Sequence, residues 1–151
     1  MKAYDFIGNP CNYRGYVIQW SRGKLLSRFG EHIYSYNADG VRYKKTTASG
    51  VVHTYHLEGT RIHKEQRGNV AIYYIYDESG IVGMNYNGSK YYFQKNLQGD
   101  VVRIYNASGV ENTSATFIGN INPFRYRGYY FDGETGLFMA HIFIRGFRRI
   151  I

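Results

Sequence analysis

Glycines that close polar turns recur along this chain at a spacing near twenty residues, and that recurrence limits the fold more than any other feature. Gly40, Gly59, Gly80 and Gly99 stand 19, 21 and 19 residues apart. Three of the turns open on Asn37, Asp77 and Asn96, whose side chains can hydrogen-bond their own backbone two residues on, and glycine supplies the positive φ that ends such a turn. Twenty residues hold one hairpin. A hairpin repeated at fixed period is the mark of an architecture in which no unit buries its own face and neighbours must stack. All the connections are short, so neighbouring strands run antiparallel; a parallel pair would need a crossover of a dozen residues or more. No segment carries a 3.6-residue period. The expected fold is therefore all-β, a meander of antiparallel hairpin repeats forming a curved, twisted ribbon.

Individual strands can be read from alternation. Val70, Ile72, Tyr74 and Tyr76 fall on one face of a strand, and Ala71, Tyr73 and Ile75 on the other. In the following arm Val82, Met84 and Tyr86 are expected to share a face. Asn87-Gly88 then gives a strong hairpin signal, because a type I′ turn needs positive φ at both central residues. Residues 24–29 are ambiguous by period alone and are taken as strand from their neighbours. Residues 111–122 are polar and read as loop. Val101, Ile104, Tyr129 and Leu137 are candidates for the buried face.

Composition narrows the class of partner. The 151 residues include 17 tyrosines and 18 glycines against two prolines, a balance that suits strands and turns and does not suit disorder. The formal charge of +8 would admit an anionic polymer, a nucleic acid or an acidic membrane surface. The basic residues are scattered, however, with only Arg145, Arg148 and Arg149 tightly grouped, which favours solvated strand faces over nucleic acid. Cys11 is the sole cysteine, so neither an internal disulfide nor a cysteine-based zinc site is expected. Residues 1–5 lack the apolar core of a signal peptide, and no apolar run approaches the ~18 residues that span a bilayer. This chain is thus expected to carry no export signal of its own and could reside in the cytoplasm.

An ordered set of motifs gives a resemblance. It comprises Tyr4-Asp5-x-Ile7-Gly8-Asn9-Pro10 with Trp20 and Gly23, then Tyr34-x-Tyr36-Asn37-x-x-Gly40-x-Arg42 and Tyr76-Asp77-x-x-Gly80. Lys95-Asn96-Leu97-Gln98-Gly99-Asp100-Val101 follows. The last is Asn122-Pro123-Phe124-Arg125-Tyr126-Arg127-Gly128-Tyr129-Tyr130-x-Asp132-x-Glu134-Thr135-Gly136-Leu137. From about residue 4 to 137 the chain resembles the Rhs/YD-repeat proteins, nearest the end of the repeat region in their bacterial wall-associated branch. The last two motifs resemble the Rhs repeat-associated core signature.

The resemblance implies repeat hairpins over 1–110, a core-signature segment over 111–137 and a tail over 138–151. It also implies that the ribbon is part of an Rhs-type β-shell enclosing a C-terminal toxin or effector, so that the role is structural and encapsulating, with no catalytic activity. Full-length relatives would be secreted or at the cell surface, with the rest of the shell and the cargo as partners. Relatives follow Gly-Leu with a tyrosine-rich strand, an Asp/Asn-Pro turn and Gly-Arg-Phe, and some self-cleave using paired aspartates. Residues 138–151 contain no Asp, Glu or Pro, so neither cleavage nor cargo is expected, and the chain reads as a truncated or degenerate product.

Few residues invite a catalytic or ligand reading. His53 and His56 stand three apart on a strand, which points them to opposite faces and away from a shared metal. Asp132 and Glu134 could act as an acid–base pair, but the glycines beside them argue for a turn. No serine or cysteine nucleophile frame is present, and no cofactor is expected. Tyrosines beside Arg and Lys could stack on sugars, making a cell-surface carbohydrate-binding module the alternative; the competing reading has Tyr74, Tyr76, Tyr92 and Tyr105 packing across strands. Open strand edges on such a ribbon would invite self-association.

Overall fold

The computed structural model describes residues 3–59, 61–112 and 118–139. The expected tail lies outside the described residues from residue 140 onward. Eleven strands form one antiparallel sheet in strict sequence order: β1 (Asn12–Tyr13), β2 (Tyr16–Ser21), β3 (Leu25–Phe29), β4 (His32–Tyr36), β5 (Arg42–Thr46), β6 (Val52–Glu58), β7 (Arg61–Arg67), β8 (Val70–Asp77), β9 (Gly80–Tyr86), β10 (Ser89–Lys95) and β11 (Val101–Asn106). A short helix α1 (Ile118–Ile121) follows, and then a separate three-stranded sheet of β12 (Phe124–Tyr126), β13 (Tyr129–Asp132) and β14 (Leu137–Met139). The all-β hairpin meander expected from the glycine spacing is what forms, and its sheet is not closed. The helical turn at 118–121 corrects the loop expected there; Ile118 is wholly buried and anchors it.

The repeated turns are built as their residues require. The Asn37 Oδ1 accepts the backbone N–H of Asp39 and Val41, and the Asn96 Oδ1 accepts those of Gln98 and Asp100. Asp77 accepts the N–H and hydroxyl of Ser79; these bonds hold its exposed carboxyl below the usual range, with Lys95 assisting. Gly40, Gly80 and Gly99 close the turns at φ 80, 104 and 86. A side chain in that region of φ would be strained.

Every second strand carries one extra residue. The ladder skips at Ser27 in β3, Tyr43 in β5, His63 in β7, Val82 in β9 and Val102 in β11. Such bulges bend the bulged strand and increase the local twist. Each also changes which residues point inward. Beyond the skip the strand keeps an i, i+3 inward pair instead of i, i+2: Leu26 with Phe29, Arg42 with Lys45, Ile62 with Glu65, and Ile81 with Met84 are all buried. Hence the expected face of Val82, Met84 and Tyr86 is corrected. Val82 is the extra residue, and Ile81 takes the inward place beside Met84.

The tyrosines that precede the turns reinforce the bulges. The Tyr36 hydroxyl donates to the Leu26 carbonyl at 2.8 Å, and the Tyr76 hydroxyl donates to the Ile62 carbonyl at 3.0 Å. Both acceptors sit immediately before an extra residue, where the ladder is disrupted. Burial pushes the Tyr76 phenol up to about 12, against the Arg61 guanidinium 5.0 Å above its ring.

The main core forms between the inner face of β5–β9 and the 118–139 segment. It joins Val41, Tyr55, Ile62, Ile72, Tyr74, Ile81 and Met84 to Ile118, Phe124 and Tyr130. A smaller cluster of Ile18, Leu26, Phe29 and Tyr34 fills the N-terminal end. Val101, Ile104, Tyr129 and Leu137 are only half-buried. Within β13 the residues that turn fully inward are Tyr130, next to the expected Tyr129, and Asp132.

Candidate functional site: an ionic seam under the ribbon

The 118–139 segment shares no strand ladder with the eleven-stranded sheet, yet its polar side chains are seated on that sheet's inner face. Two charged clusters do this. In the first, Asp132 at the end of β13 receives Arg42 Nη1 on both carboxylate oxygens, at 3.0 and 2.8 Å, and Lys45 Nζ at 3.0 Å. Lys45 also reaches Glu134 at 3.2 Å, and the Tyr34 hydroxyl donates to the other Glu134 oxygen at 3.0 Å. Arg42 is completely buried; its Nε and Nη2 have no hydrogen-bond acceptor, and its guanidinium lies 4.2 Å above the Tyr34 ring and 5.9 Å from the Tyr36 ring.

The second cluster centres on Glu65, also completely buried. It accepts the hydroxyls of Tyr130, from β13, and of Tyr74 at 2.5 Å. Arg67 Nη2 lies 3.0 Å from its second oxygen and His53 Nδ1 3.0 Å from its first. Tyr55 donates to the Tyr130 hydroxyl at 3.1 Å and meets that ring edge-on.

These groups hold one another in fixed charge states. Burial alone would raise the Asp132 carboxyl, but the Arg42 and Lys45 charges and hydrogen bonds keep it below the usual carboxylate range. Burial would likewise raise Glu65; the hydrogen bond from His53, the Arg67 charge and the Tyr130 hydroxyl hold it far below. Burial works against the charge on Lys45, and Asp132 more than restores it. Burial pushes the Tyr34, Tyr74 and Tyr130 phenols up, and the neighbouring carboxylates push them further, so they remain donors. A buried ion pair of this kind tolerates the loss of one partner poorly, because the remaining charge is stranded.

The repeat explains why these residues stand where they do. Arg42–Lys45 and Ile62–Glu65 occupy the same inward i, i+3 places that hold Leu26–Phe29 and Ile81–Met84 in other hairpins. Two repeats have exchanged core residues for charge, and those two face Tyr130, Asp132 and Glu134. Alternation alone picks out neither Lys45 nor Glu65, whereas Arg42, Tyr130, Asp132 and Glu134 stand within the quoted motifs.

The remaining motif residues shape the two sheets. Tyr36, Asn37, Gly40, Tyr76, Asp77, Gly80, Asn96 and Gly99 form the turns and clamps already described. Asp100 accepts the Arg127 backbone N–H at 3.2 Å, tying the β10–β11 turn to the tight turn of Arg127 and Gly128 at φ 48 and 70. Arg125 donates to the Asn122 and Asn120 carbonyls and stacks 4.8 Å from the Phe131 ring. Pro123 accepts the Phe131 N–H, Tyr129 pairs with Tyr126, and Gly136 at φ 70 leads into Leu137 opposite Asp132. In a flat sheet β4 and β10 would lie about 29 Å apart at ~4.8 Å per strand. The segment reaches both Tyr34 on β4 and Asp100 in the β10–β11 turn, and bulges such as those of this sheet bend strands and increase twist. His53 faces Glu65 while His56 is exposed, and no group of three metal-ligating side chains occurs among the described residues. No described helix is long and apolar enough to cross a membrane.

Fold and seam together define a hairpin-repeat β protein with a segment of its own chain bound to its inner face. The chain is 31% identical to the tRNA3(Ser)-specific nuclease WapA of Bacillus spizizenii and 30% identical to the tRNA nuclease WapA of Bacillus subtilis, in each case over 90% of its length. It spans about 7% of the length of each of these relatives. No protein-family model matches it.

Proposed function

We infer that this chain is a structural stretch of a repeat-built β wall of the Rhs/YD type, without catalytic activity of its own. The observation that carries the reading is the inward i, i+3 pair repeated once per hairpin, which gives the ribbon a fixed inside, with the 118–139 segment seated there. In longer relatives the ribbon continues as a shell around a C-terminal toxin or effector, secreted or at the cell surface. The tRNA cleavage for which the WapA relatives are named belongs, in this reading, to regions outside the matched stretch. Electron microscopy of a longer protein containing this stretch tests it. The eleven strands should form an arc of a closed wall with residues 118–139 on its inner side; the same segment on an outer surface would overturn the reading. The purified chain should leave tRNA intact, and cleavage would refute the non-catalytic assignment. The sheet's terminal edges are the expected route of self-association, visible as oligomers by size-exclusion chromatography; a clean monomer would exclude it.

One observation favours a second reading. His56, Lys64, Tyr73, Asn85 and Lys90 are successive cross-strand neighbours on the outer face, and the Tyr73 and Tyr92 rings are exposed. That row suits an anionic cell-surface polysaccharide, with sugars on Tyr73 and acidic groups on the lysines. Failure of the chain to bind purified cell-wall polymer would remove this alternative.

A further inference from the structure

The seam raises the question of what kind of attachment joins the two sheets. A strand added to the ribbon would be held by a backbone ladder. The 118–139 segment instead has no ladder pairing with the ribbon. Its polar attachments include the Asp132 and Glu134 salt bridges, the Tyr34–Glu134, Tyr130–Glu65 and Tyr55–Tyr130 hydrogen bonds, and the Asp100 side chain on the Arg127 N–H. Its own structure is internal: β12, β13 and β14 pair with one another, and Asn122 braces Phe124 through both its backbone N–H and carbonyl. Both parts therefore keep their backbone bonding when they separate. Apart from the Arg127 N–H on Asp100, the polar contact is side chain to side chain, and most of its bonds end on a carboxylate.

We propose that the 118–139 segment is a carboxylate-latched strap that releases from the ribbon's inner face as a unit in acid, while the ribbon stays folded. This deepens the wall assignment without depending on what the wall encloses. The cations around the latch favour the charged form of its carboxylates. Asp132 faces Arg42 and Lys45 from β5, with Tyr34 and Tyr36 of β4 and Tyr55 of β6 nearby; Glu134 faces Lys45 and Tyr34. Glu65 faces His53 from β6, Arg67 on its own strand, Tyr74 from β8 and Tyr130 from the strap. When the strap is docked, Asp132 holds its proton less readily than a free carboxylate; Glu65 is held low mainly by His53 and Arg67 of the ribbon itself, so Asp132 carries the linkage to docking. A carboxylate depressed on docking stabilises the docked state above its ordinary value, here 3.8 for Asp132. That stabilisation is lost as pH falls below that value. The opening equilibrium should be flat from pH 7 to 5. Below about pH 4 it should rise roughly tenfold per pH unit for each carboxylate that gains a proton on release.

Hydrogen exchange on the intact chain, read by mass spectrometry, tests this through the ratio of exchange in 118–139 to exchange in β8–β9, so that intrinsic rates cancel. That ratio should be constant above pH 5 and rise about fourfold between pH 4 and 3, as expected for one carboxylate that gains a proton on release. Glu134→Gln, which keeps a hydrogen-bond acceptor for Tyr34 but loses its charge, should raise the ratio at pH 7 and leave β8–β9 protected. If the strap and β8–β9 lose protection together in acid, or the ratio does not change with pH, the strap is an ordinary part of one cooperative core and the proposal fails. A Glu134→Gln chain indistinguishable from the parent at pH 7 would also count against the latch.

Discussion

The ribbon and the strap are both antiparallel β-structure, yet they are held in different ways. In the ribbon, each strand is fixed by ladders on its neighbours, apolar inward pairs and tyrosine hydroxyls over the bulges. Its charges lie mostly at the surface or in turns. The strap has only three strands; besides the apolar packing of Ile118, Phe124 and Tyr130, its place depends on buried charge: Asp132 between two cations, Glu134 on Lys45, and Tyr130 on Glu65. Ladder and apolar contacts degrade gradually when one is removed, whereas a buried ion pair fails abruptly, since the partner left behind is desolvated and alone. One chain thus combines a tolerant wall with an intolerant joint.

Substitutions can break that contrast. The largest effect is expected from Asp132→Ala, which strands Arg42, leaves Lys45 with Glu134 alone and should cost about 3–5 kcal/mol. Urea unfolding followed by hydrogen exchange should show the strap lost first; a single shifted transition shared with β8–β9 would mean that the two regions are not distinct. Next is Gly83→Ala within the ribbon. A Cβ there would stand 2.4 Å from the Tyr91 carbonyl oxygen, a backbone atom that cannot rotate away. The expected cost is about 1–3 kcal/mol in urea denaturation, and a neutral result would show that the ribbon yields more than its ladder suggests. Tyr76→Phe removes one hydroxyl from the Ile62 carbonyl and should cost about 1 kcal/mol by the same measurement. Leu97→Ser at a fully exposed turn tip should stay within about 0.5 kcal/mol.

The ribbon was largely readable from sequence because its signals are local. An Asn or Asp that caps its own turn and a glycine that ends it act within five residues, so Asn37 to Gly40 and Asn96 to Gly99 announce themselves. The bulges were not readable. An extra residue in β7 is visible only against β6, and without it alternation places Ile62 with Lys64 and hides Glu65. The same slip conceals Arg42 with Lys45. The seam was therefore illegible for two reasons: its residues lie on bulged strands, and their partners are some 65–100 positions away, as Tyr130 is from Glu65 and Glu134 from Tyr34. Asp132 and Glu134 do sit at a turn as expected, but their side chains turn inward to the cations.

The extra residue in each returning strand has one more consequence. Side chains alternate with period two, so a one-residue change in register exchanges the faces of everything beyond it. Ser27, Tyr43, His63, Val82 and Val102 act as phase shifts, each correcting the strand so that the next inward residue meets the core. Deleting any one of them would leave composition, charge and turn motifs almost untouched while turning the rest of that strand inside out. In a wall assembled from such hairpins, the most damaging lesion is a miscount.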